Sequence, residues 1–409
     1  MKSRHTPSAD IRAIAFYLPQ FHPIPENDEW WGKGFTEWRN VTKANPVFPE
    51  HYQPHLPADL GFYDLRLPEV REAQAELARQ YGIHGFCYYH YWFNGRRILE
   101  RPFNEVLQSG KPDFPFCLCW ANENWTRVWD GGERNVLLSQ IYSSEDDLAH
   151  IRSLISAFKD PRYIRIDGKP LFLVYRTESL PNPFKSAQIW REEAARAGIG
   201  DLYLVRVAGF DDTVDPREIG FDAAVEFAPD WRKSVDSVHR DPISRLLINF
   251  GIGSKGYLNH FVTRYDGLIR RMQDKPMPDY IFFRCVTPGF DNSSRRSRGA
   301  AILIGNTPER YGSWLADVVQ QTRRHYIGDH RLVFINAWNE WAEGNHLEPD
   351  LRNGLSFLEA TRQALDSTYS VGNKLEHSSG QPAVNAVQIF YWKIVSLLRR
   401  MHQLFRRNK

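Results

Sequence analysis

The 409-residue chain lacks the marks of several common chemistries. It has only four cysteines, Cys87, Cys117, Cys119 and Cys285. None forms a CxxC pair and all lie in apolar runs, which excludes a disulfide scaffold and a cysteine-bound metal and leaves buried, reduced thiols. No run of 18 apolar residues occurs, so no membrane-spanning helix is expected. The opening stretch MKSRHTPSADIRAIAF has no apolar core of a secretion signal, which predicts a cytoplasmic protein. There is no P-loop, HExxH or GxSxG, and no GxGxxG follows the first strand-like run. No cofactor and no metal are therefore expected. His22, His84 and His90 are scattered through aromatic segments, where sugar contacts or core positions explain them better than metal ligation.

Charge of one sign is also scarce, except at the end. The formal net charge is +3, yet Val384 to Lys409 holds six Lys/Arg and no Asp/Glu, leaving 46 basic against 49 acidic side chains before it. A mildly acidic body argues against nucleic acid as a partner and places any anionic partner at the C-terminus.

What the chain has in excess is aromatic surface. It is 42% apolar and 25% charged, as ordinary globular proteins are, but 14% aromatic with thirteen Trp. Trp is rarely buried whole, so part of that excess should line a ligand site.

Eight runs read as strands: Arg12–Tyr17, Ile83–His90, Pro115–Trp120, Pro170–Tyr175, Leu202–Val207, Asp222–Phe227, Tyr280–Val286 and Leu332–Trp338. Most are near-continuously apolar, as parallel strands covered on both faces are. Helical patterns lie between them, at Leu67–Tyr81, Asp146–Phe158, Lys185–Ala197, Asn259–Gln273 and Glu309–Arg323. Eight strand–helix units predict an α/β fold, a (β/α)8 TIM-type barrel over residues 1–366 with long loop insertions, the longest after the first strand. Residues 367–382, rich in Ser, Gly and Asn, read as a linker, and residues 383–409 as a basic amphipathic helix.

Active sites of such barrels sit at the C-terminal ends of the strands. Nine of the thirteen Trp fall there: Trp30, Trp31, Trp38, Trp92, Trp120, Trp125, Trp129, Trp338 and Trp341. Aromatic faces beside Asn, Asp, Glu and His suit a sugar ring, with its apolar C–H face and its rim of hydroxyls, although some of these Trp could simply cap the barrel. The candidate substrate-binding residues are Tyr17, His22, Trp31, Glu37 and Trp38 after the first strand, and His90, Tyr91 and Trp92 after the second. Trp120, Asn122, Glu123 and Trp125 follow the third, and Asp291 follows the seventh. Trp338, Asn339 and Trp341 follow the eighth. Asp291 serves equally well as a turn cap. Phe210-Asp-Asp212 is a weak approach to an acidic metal–sugar-nucleotide motif.

The sharpest constellation is Asn339-Glu340-Trp341-Ala342-Glu343-Gly344. Glycosidic chemistry needs two carboxyl groups in different environments, one raised in pKa and one ionised. Glu340 and Glu343 are the candidate catalytic pair, Trp341 could wall them, and Glu123 and then Glu37 are the next candidate acids.

The stretches AFYLPQFHPIPENDEWWGKGFTEW, GFCYYHYWFNGRRILERP, CLCWANENWTRVWDG, TPGFDNSSRR and INAWNEWAEGNHLEP resemble the WbsX-type glycosyltransferase family, a relative of glycoside hydrolase family 99. Together they mark nearly the whole span from Ile11 to about Leu365. The resemblance implies a (β/α)8 barrel related to retaining endo-α-1,2-mannosidases and mannanases. It implies that Glu340 is the base and Glu343 the acid/base, working through a 1,2-anhydro sugar without a protein nucleophile.

The expected function is a glycosyltransferase of surface polysaccharide assembly, such as O-antigen or lipopolysaccharide, acting on a glycan or activated sugar. A retaining mannosidase-like hydrolase and a non-catalytic sugar-binding barrel are the alternatives. The apolar stripe Val387, Tyr391, Ile394, Leu398, Met401 and Phe405, with basic residues elsewhere, predicts peripheral attachment to an anionic inner-membrane surface, or else docking on the barrel.

Overall fold

The computed structural model describes residues 10–127, 132–209, 214–230, 237–239 and 241–366. The predicted linker 367–382, the tail 383–409, Trp129 and Phe210-Asp-Asp212 lie outside these residues.

Eight parallel strands form the core: β1 (Arg12–Tyr17), β2 (Ile83–Phe93), β3 (Phe116–Trp120), β4 (Lys169–Val174), β5 (Tyr203–Ala208), β6 (Ala223–Glu226), β7 in two pieces (Phe282–Phe283 and Cys285–Val286) and β8 (Leu332–Ile335). Each pairs with its sequence neighbour, and β8 pairs with β1 in the register Arg12↔Leu332. The first piece of β7 pairs with β6 and the second with β8, with only Arg284 between them, so the sheet closes on itself. The protein is a (β/α)8 barrel.

Both faces of each strand are covered. Inside, Phe16 of β1 meets Tyr89 of β2, Phe334 of β8 and Phe227 just past β6, at ring-centroid distances of 5.6, 5.7 and 5.9 Å. Because β1 and β6 are not neighbours in the sheet, that last contact crosses the lumen. Outside, the helices Pro68–Gln80, Arg101–Ser109, Ser144–Lys159, Pro183–Arg196, Tyr265–Gln273, Pro308–His325 and Ser356–Leu365 form the second layer. Several start where the sequence offers a cap: Ser143, Asn182 and Thr307 each accept a hydrogen bond from the backbone N–H three residues on, satisfying one orphan donor. All four cysteines are buried and free.

The expected helix Asn259–Gln273 is a correction. Phe261–Arg264 is a strand paired in parallel with Ala301–Ile304, and the helix begins at Tyr265. Val262 and Thr263 favour the extended form, and the pairing partner is remote in sequence. The last strand ends at Ile335 rather than Trp338, and β2 runs past His90 to Phe93, where it turns back onto Arg96–Ile98. The insertion after β1 carries the short helices Pro25–Trp31 and Trp38–Lys43. Among the described residues no helix is long and apolar enough to cross a membrane.

Candidate active site

The loops after β7 and β8 are built as one unit. After β8, Asn339–Glu340 pairs with Asn345–His346, and a tight turn at Trp341–Glu343 joins them. Gly344 closes that turn at φ 52°, where a Cβ would come within 3.0 Å of Asp291 Cβ, so only glycine fits without strain. The loop after β7 lies against it. Asp291 N donates to Glu343 O at 2.5 Å, Ser294 Oγ to Ala342 O at 2.6 Å and Thr287 Oγ1 to Asn345 Oδ1 at 2.8 Å.

Asp291 is the hub of that loop. Its Oδ1 accepts from Ser293 N at 2.9 Å, while Oδ2 meets His51 Nε2 at 2.6 Å and accepts from Gln53 Nε2 at 2.8 Å. Burial pushes its pKa up, but the His51 hydrogen bond and charge more than offset this and hold the carboxyl below its ordinary range. Asp291 thus acts as the turn cap that the sequence allowed, and the turn delivers Arg295.

Arg295 sits among three carboxylates. Its Nη1 donates to Glu343 Oε1 at 2.6 Å, its Nη2 and Nε reach Glu37 Oε2 at 3.0 and 3.2 Å, and Nη2 lies 3.7 Å from Glu340 Oε2. Glu340 and Glu343 lie close together on this shared guanidinium, and ionisation of both would put two negative charges side by side, which favours retention of a proton by one of the two. Burial raises Glu340 well above the usual carboxylate range, with the Glu343 charge adding to the rise. Glu343 is raised by burial too, with Arg295 working against the rise. Its side chain is 25% exposed against 9% for Glu340 and 1% for Glu37, so Glu343 is the member of the trio most open to a substrate.

The wall facing the trio is aromatic. Tyr91 accepts from Gln20 Nε2 at 3.2 Å, and its phenol is pushed up by burial and by the charge of Glu340. Tyr89 feels Glu340 in the same way, and Tyr175 feels Glu123 and Glu343. Half-buried Trp125 packs edge-on against Tyr91 at 5.3 Å and against Trp30 at 5.8 Å. The structure therefore brings together Glu37, Tyr91, Trp125, Glu340 and Glu343. Trp31 is half-buried against Phe35, and Glu123 is exposed and paired with Arg176.

Other candidates are placed elsewhere. Alternation along β2 turns Tyr89, Tyr91 and Phe93 inward and Tyr88, His90 and Trp92 outward. His90 and Trp92 stack on His150, as Trp120 packs on His150 and Trp190, all beneath the helices Ser144–Lys159 and Pro183–Arg196. Tyr17 donates to Gln74 at 2.7 Å and Trp338 packs on Phe86, also in the helical layer. Asn339 is spent on the backbone of Leu18, accepting from its N–H and donating to its carbonyl, and Asn122 likewise clamps the backbone of Arg176. Trp341 turns away from the pair it separates, stacks on His346 and donates to Glu348 Oε2 at 2.6 Å. Trp38 packs behind it and donates to Tyr63 O. His22 is buried, lowered to about 4 by loss of solvent, and acted on by Asp64, Arg66 and Arg101 rather than by the carboxylates.

Sequence reasoning missed Arg295, Tyr89, Tyr175 and Gln20. Period-2 alternation could have found Tyr89 beside Tyr91, whereas nothing local separates Arg295 from Arg296. It also missed three buried potential metal ligands, His55, His346 and Asp350, whose donor atoms lie within 4.8 Å of one another.

Comparison with known proteins bears on the family and the fold. Two relatives, both described as uncharacterized protein WxcX, from two strains of Xanthomonas campestris pv. campestris, are 48% identical over 362 residues, or 88% of this chain and 50% of theirs. The chain thus spans about half the length of the curated relatives it matches. Among solved structures, a GH99 endo-alpha-mannosidase from Bacteroides thetaiotaomicron aligns over 87% of this chain and 96% of its own, with TM-score 0.51 and 14% identity. A glycoside hydrolase-like protein aligns over 87% and 94%, with TM-score 0.53 and 12% identity. At such identities these two likenesses speak for the fold. Family and fold together support a carbohydrate-active enzyme. The model of the family described as Glycosyltransferase WbsX matches residues 13–361, and the chain belongs to that family.

Proposed function

We propose that the protein acts at the anomeric carbon of a glycan or activated sugar, as a glycosyltransferase in the assembly of a surface polysaccharide such as O-antigen, with Glu340 and Glu343 as the paired catalytic carboxylates. The observation that carries this reading is the cluster of Glu37, Glu340 and the more open Glu343 around Arg295, at the C-terminal end of the barrel and facing Tyr91 and Trp125. Two carboxyls held in unequal environments supply a proton donor and a proton acceptor for departure of a sugar's leaving oxygen. The family description favours transfer.

The resemblance makes Glu340 the base and Glu343 the acid/base. In this arrangement, however, Arg295 is bonded to Glu343 and burial acts more strongly on Glu340, so Glu340 is the better proton holder. A move of the guanidinium onto Glu340 would reverse that, and the macroscopic pKa values belong to the pair. Hydrolysis is the second reading. It is favoured by the presence of both carboxylates on a fold shared with an endo-alpha-mannosidase. In either case the basic segment 383–409 would hold the enzyme at an anionic membrane face.

Incubation of the full chain with lipid-linked oligosaccharide acceptors and a panel of nucleotide- and lipid-linked donors tests the proposal. An elongated product is expected. Release of free sugar with retained configuration from mannose-rich oligosaccharides, without elongation, would establish hydrolysis instead.

A further inference from the structure

We propose that His55, His346 and Asp350 form a binding site for a divalent cation of the zinc class, which ties the insertion after β1 to the loop after β8. The site follows from how the insertion is read by its surroundings. Residues 51–57 alternate buried and less buried, as an extended chain does, and the buried set is His51, Gln53, His55 and Pro57. His51 and Gln53 are consumed by Asp291. His55, next on the same face, meets His346 instead, Nδ1 to Nε2 at 2.9 Å. Backbone bonds from Ala58 N to Pro349 O and from Leu351 N to Leu56 O, each 2.9 Å, hold the two segments side by side.

The orientation of His346 and Asp350 suits a metal, and His55 joins them as a ligand once its proton sits on Nε2 instead of Nδ1. His346 Nδ1 faces Glu348 O at 2.9 Å. A carbonyl can only accept, so Nδ1 carries the proton and Nε2 presents its lone pair toward His55, the outer-shell arrangement usual for a ligating histidine. Asp350 is fixed in the same manner. Its Oδ1 accepts from Arg352 N at 3.0 Å and Asn353 N at 2.5 Å, and its Oδ2 from Asn353 Nδ2 at 3.0 Å.

His55, His346 and Asp350 are at most 8% exposed, and the groups bonded to Asp350 in this way are neutral, as is the Tyr52 hydroxyl that also meets it. A carboxylate taken out of water and held by neutral donors carries a desolvation cost. A dication shared by two imidazoles and the carboxylate removes the cost. Two nitrogens and one oxygen select a borderline transition metal over Ca²⁺ or Mg²⁺. Two imidazole nitrogens on one tetrahedral zinc stand roughly 3.3 Å apart, so the pair at 2.9 Å needs to open by only a few tenths of an ångström. A water can complete the shell. Because Trp341 stacks on His346 with ring centroids 3.8 Å apart, the ion would also fix the turn on which Glu340 and Glu343 stand.

The test uses the full chain without a histidine tag, dialysed into metal-free buffer, and titrated with Zn²⁺ against a chromophoric chelator and with Co²⁺ by visible absorption. One equivalent per chain is expected, with Co²⁺ d–d bands of four- or five-coordinate geometry. His55→Ala and His346→Ala should each weaken Zn²⁺ binding by more than the ~10–100-fold typical of losing an outer-shell partner. His325→Ala, at an exposed position elsewhere, should not. Folded wild-type protein that takes up neither ion in stoichiometric amount overturns the proposal, as does unchanged affinity in both folded variants. Should the variants fail to fold, zinc-edge X-ray absorption of the wild type decides: two imidazole nitrogens in the shell support the site, and their absence removes it.

Discussion

Arg295 stands 2.6 Å from Glu343 and 3.7 Å from Glu340, so one cation is shared unequally between two acids only three residues apart. Their division of labour is set by an arginine from the neighbouring loop as much as by their own position.

Glu343→Gln is expected to reduce turnover of substrates with poor leaving groups by about 10²–10⁴-fold, the usual worth of general acid help. Activated aryl glycosides should lose much less, because their leaving groups depart without a proton. Steady-state kinetics on both substrate types check this, and equal mild losses would remove Glu343 from the acid role.

Arg295→Gln removes the positive charge that opposes burial at both carboxyls. Their pKa values should rise further, moving the acidic limb of the profile of kcat/KM against pH to higher pH and cutting the maximum by about 10²–10³-fold. Arg295→Lys keeps the charge but loses the fork, and should keep the limb while lowering the maximum. Coincident profiles for both variants and the wild type would show that Arg295 only packs.

Buried histidines should make the barrel acid-sensitive. Burial lowers His22 and His84 to about 4 and His150 to about 3, from 6.5. Each is neutral when folded, whereas the unfolded chain gains the proton below pH 6.5. Their contribution is therefore complete above that pH and is lost as pH falls toward 4, at roughly 1.4 kcal/mol per pH unit for each histidine. Denaturant unfolding at several pH values measures the slope. His150→Phe should make it shallower by one histidine's share, whatever it does to absolute stability.

Removal of Val384 to Lys409 should leave the melting temperature of the barrel unchanged and abolish binding to vesicles containing anionic lipid. Binding by the whole chain should weaken with salt, since exposed charges are screened over ~8 Å at physiological ionic strength. A marked fall in melting temperature on truncation would instead make the segment part of the fold.

The barrel was legible because its strands are short, near-continuously apolar runs, such as RAIAFY in β1 and FCLCW in β3. The same property hid the faces. In YYHYWF of β2 every side chain is buried, so hydropathy cannot tell inward Tyr91 from outward His90 and Trp92, and only the counting of alternate positions can. Glu340 and Glu343 were legible from local spacing and motif. Arg295 was not, because its role depends on Asp291, His51 and Gln53 shaping a turn from two distant segments. Asn339 and Asn122 looked like sugar ligands because a polar side chain that binds backbone and one that binds hydroxyls have the same composition.

The break in β7 at Arg284 bears on how this barrel breathes. Each half of β7 is joined to its neighbour by only two residue pairs, against five between β2 and β3, so local opening should start at this seam and the amides of residues 282–286 should exchange with deuterium ahead of those in β2. The seam is riveted from outside by charge: Arg284 Nη2 donates to Lys275 O at 2.8 Å, and Glu226 meets both Arg284 and Lys275 at 3.2 Å. Since the loop bearing Arg295 leaves from the second half of β7, weakening that rivet would loosen the charge balance of the carboxylate trio before it unfolded anything else.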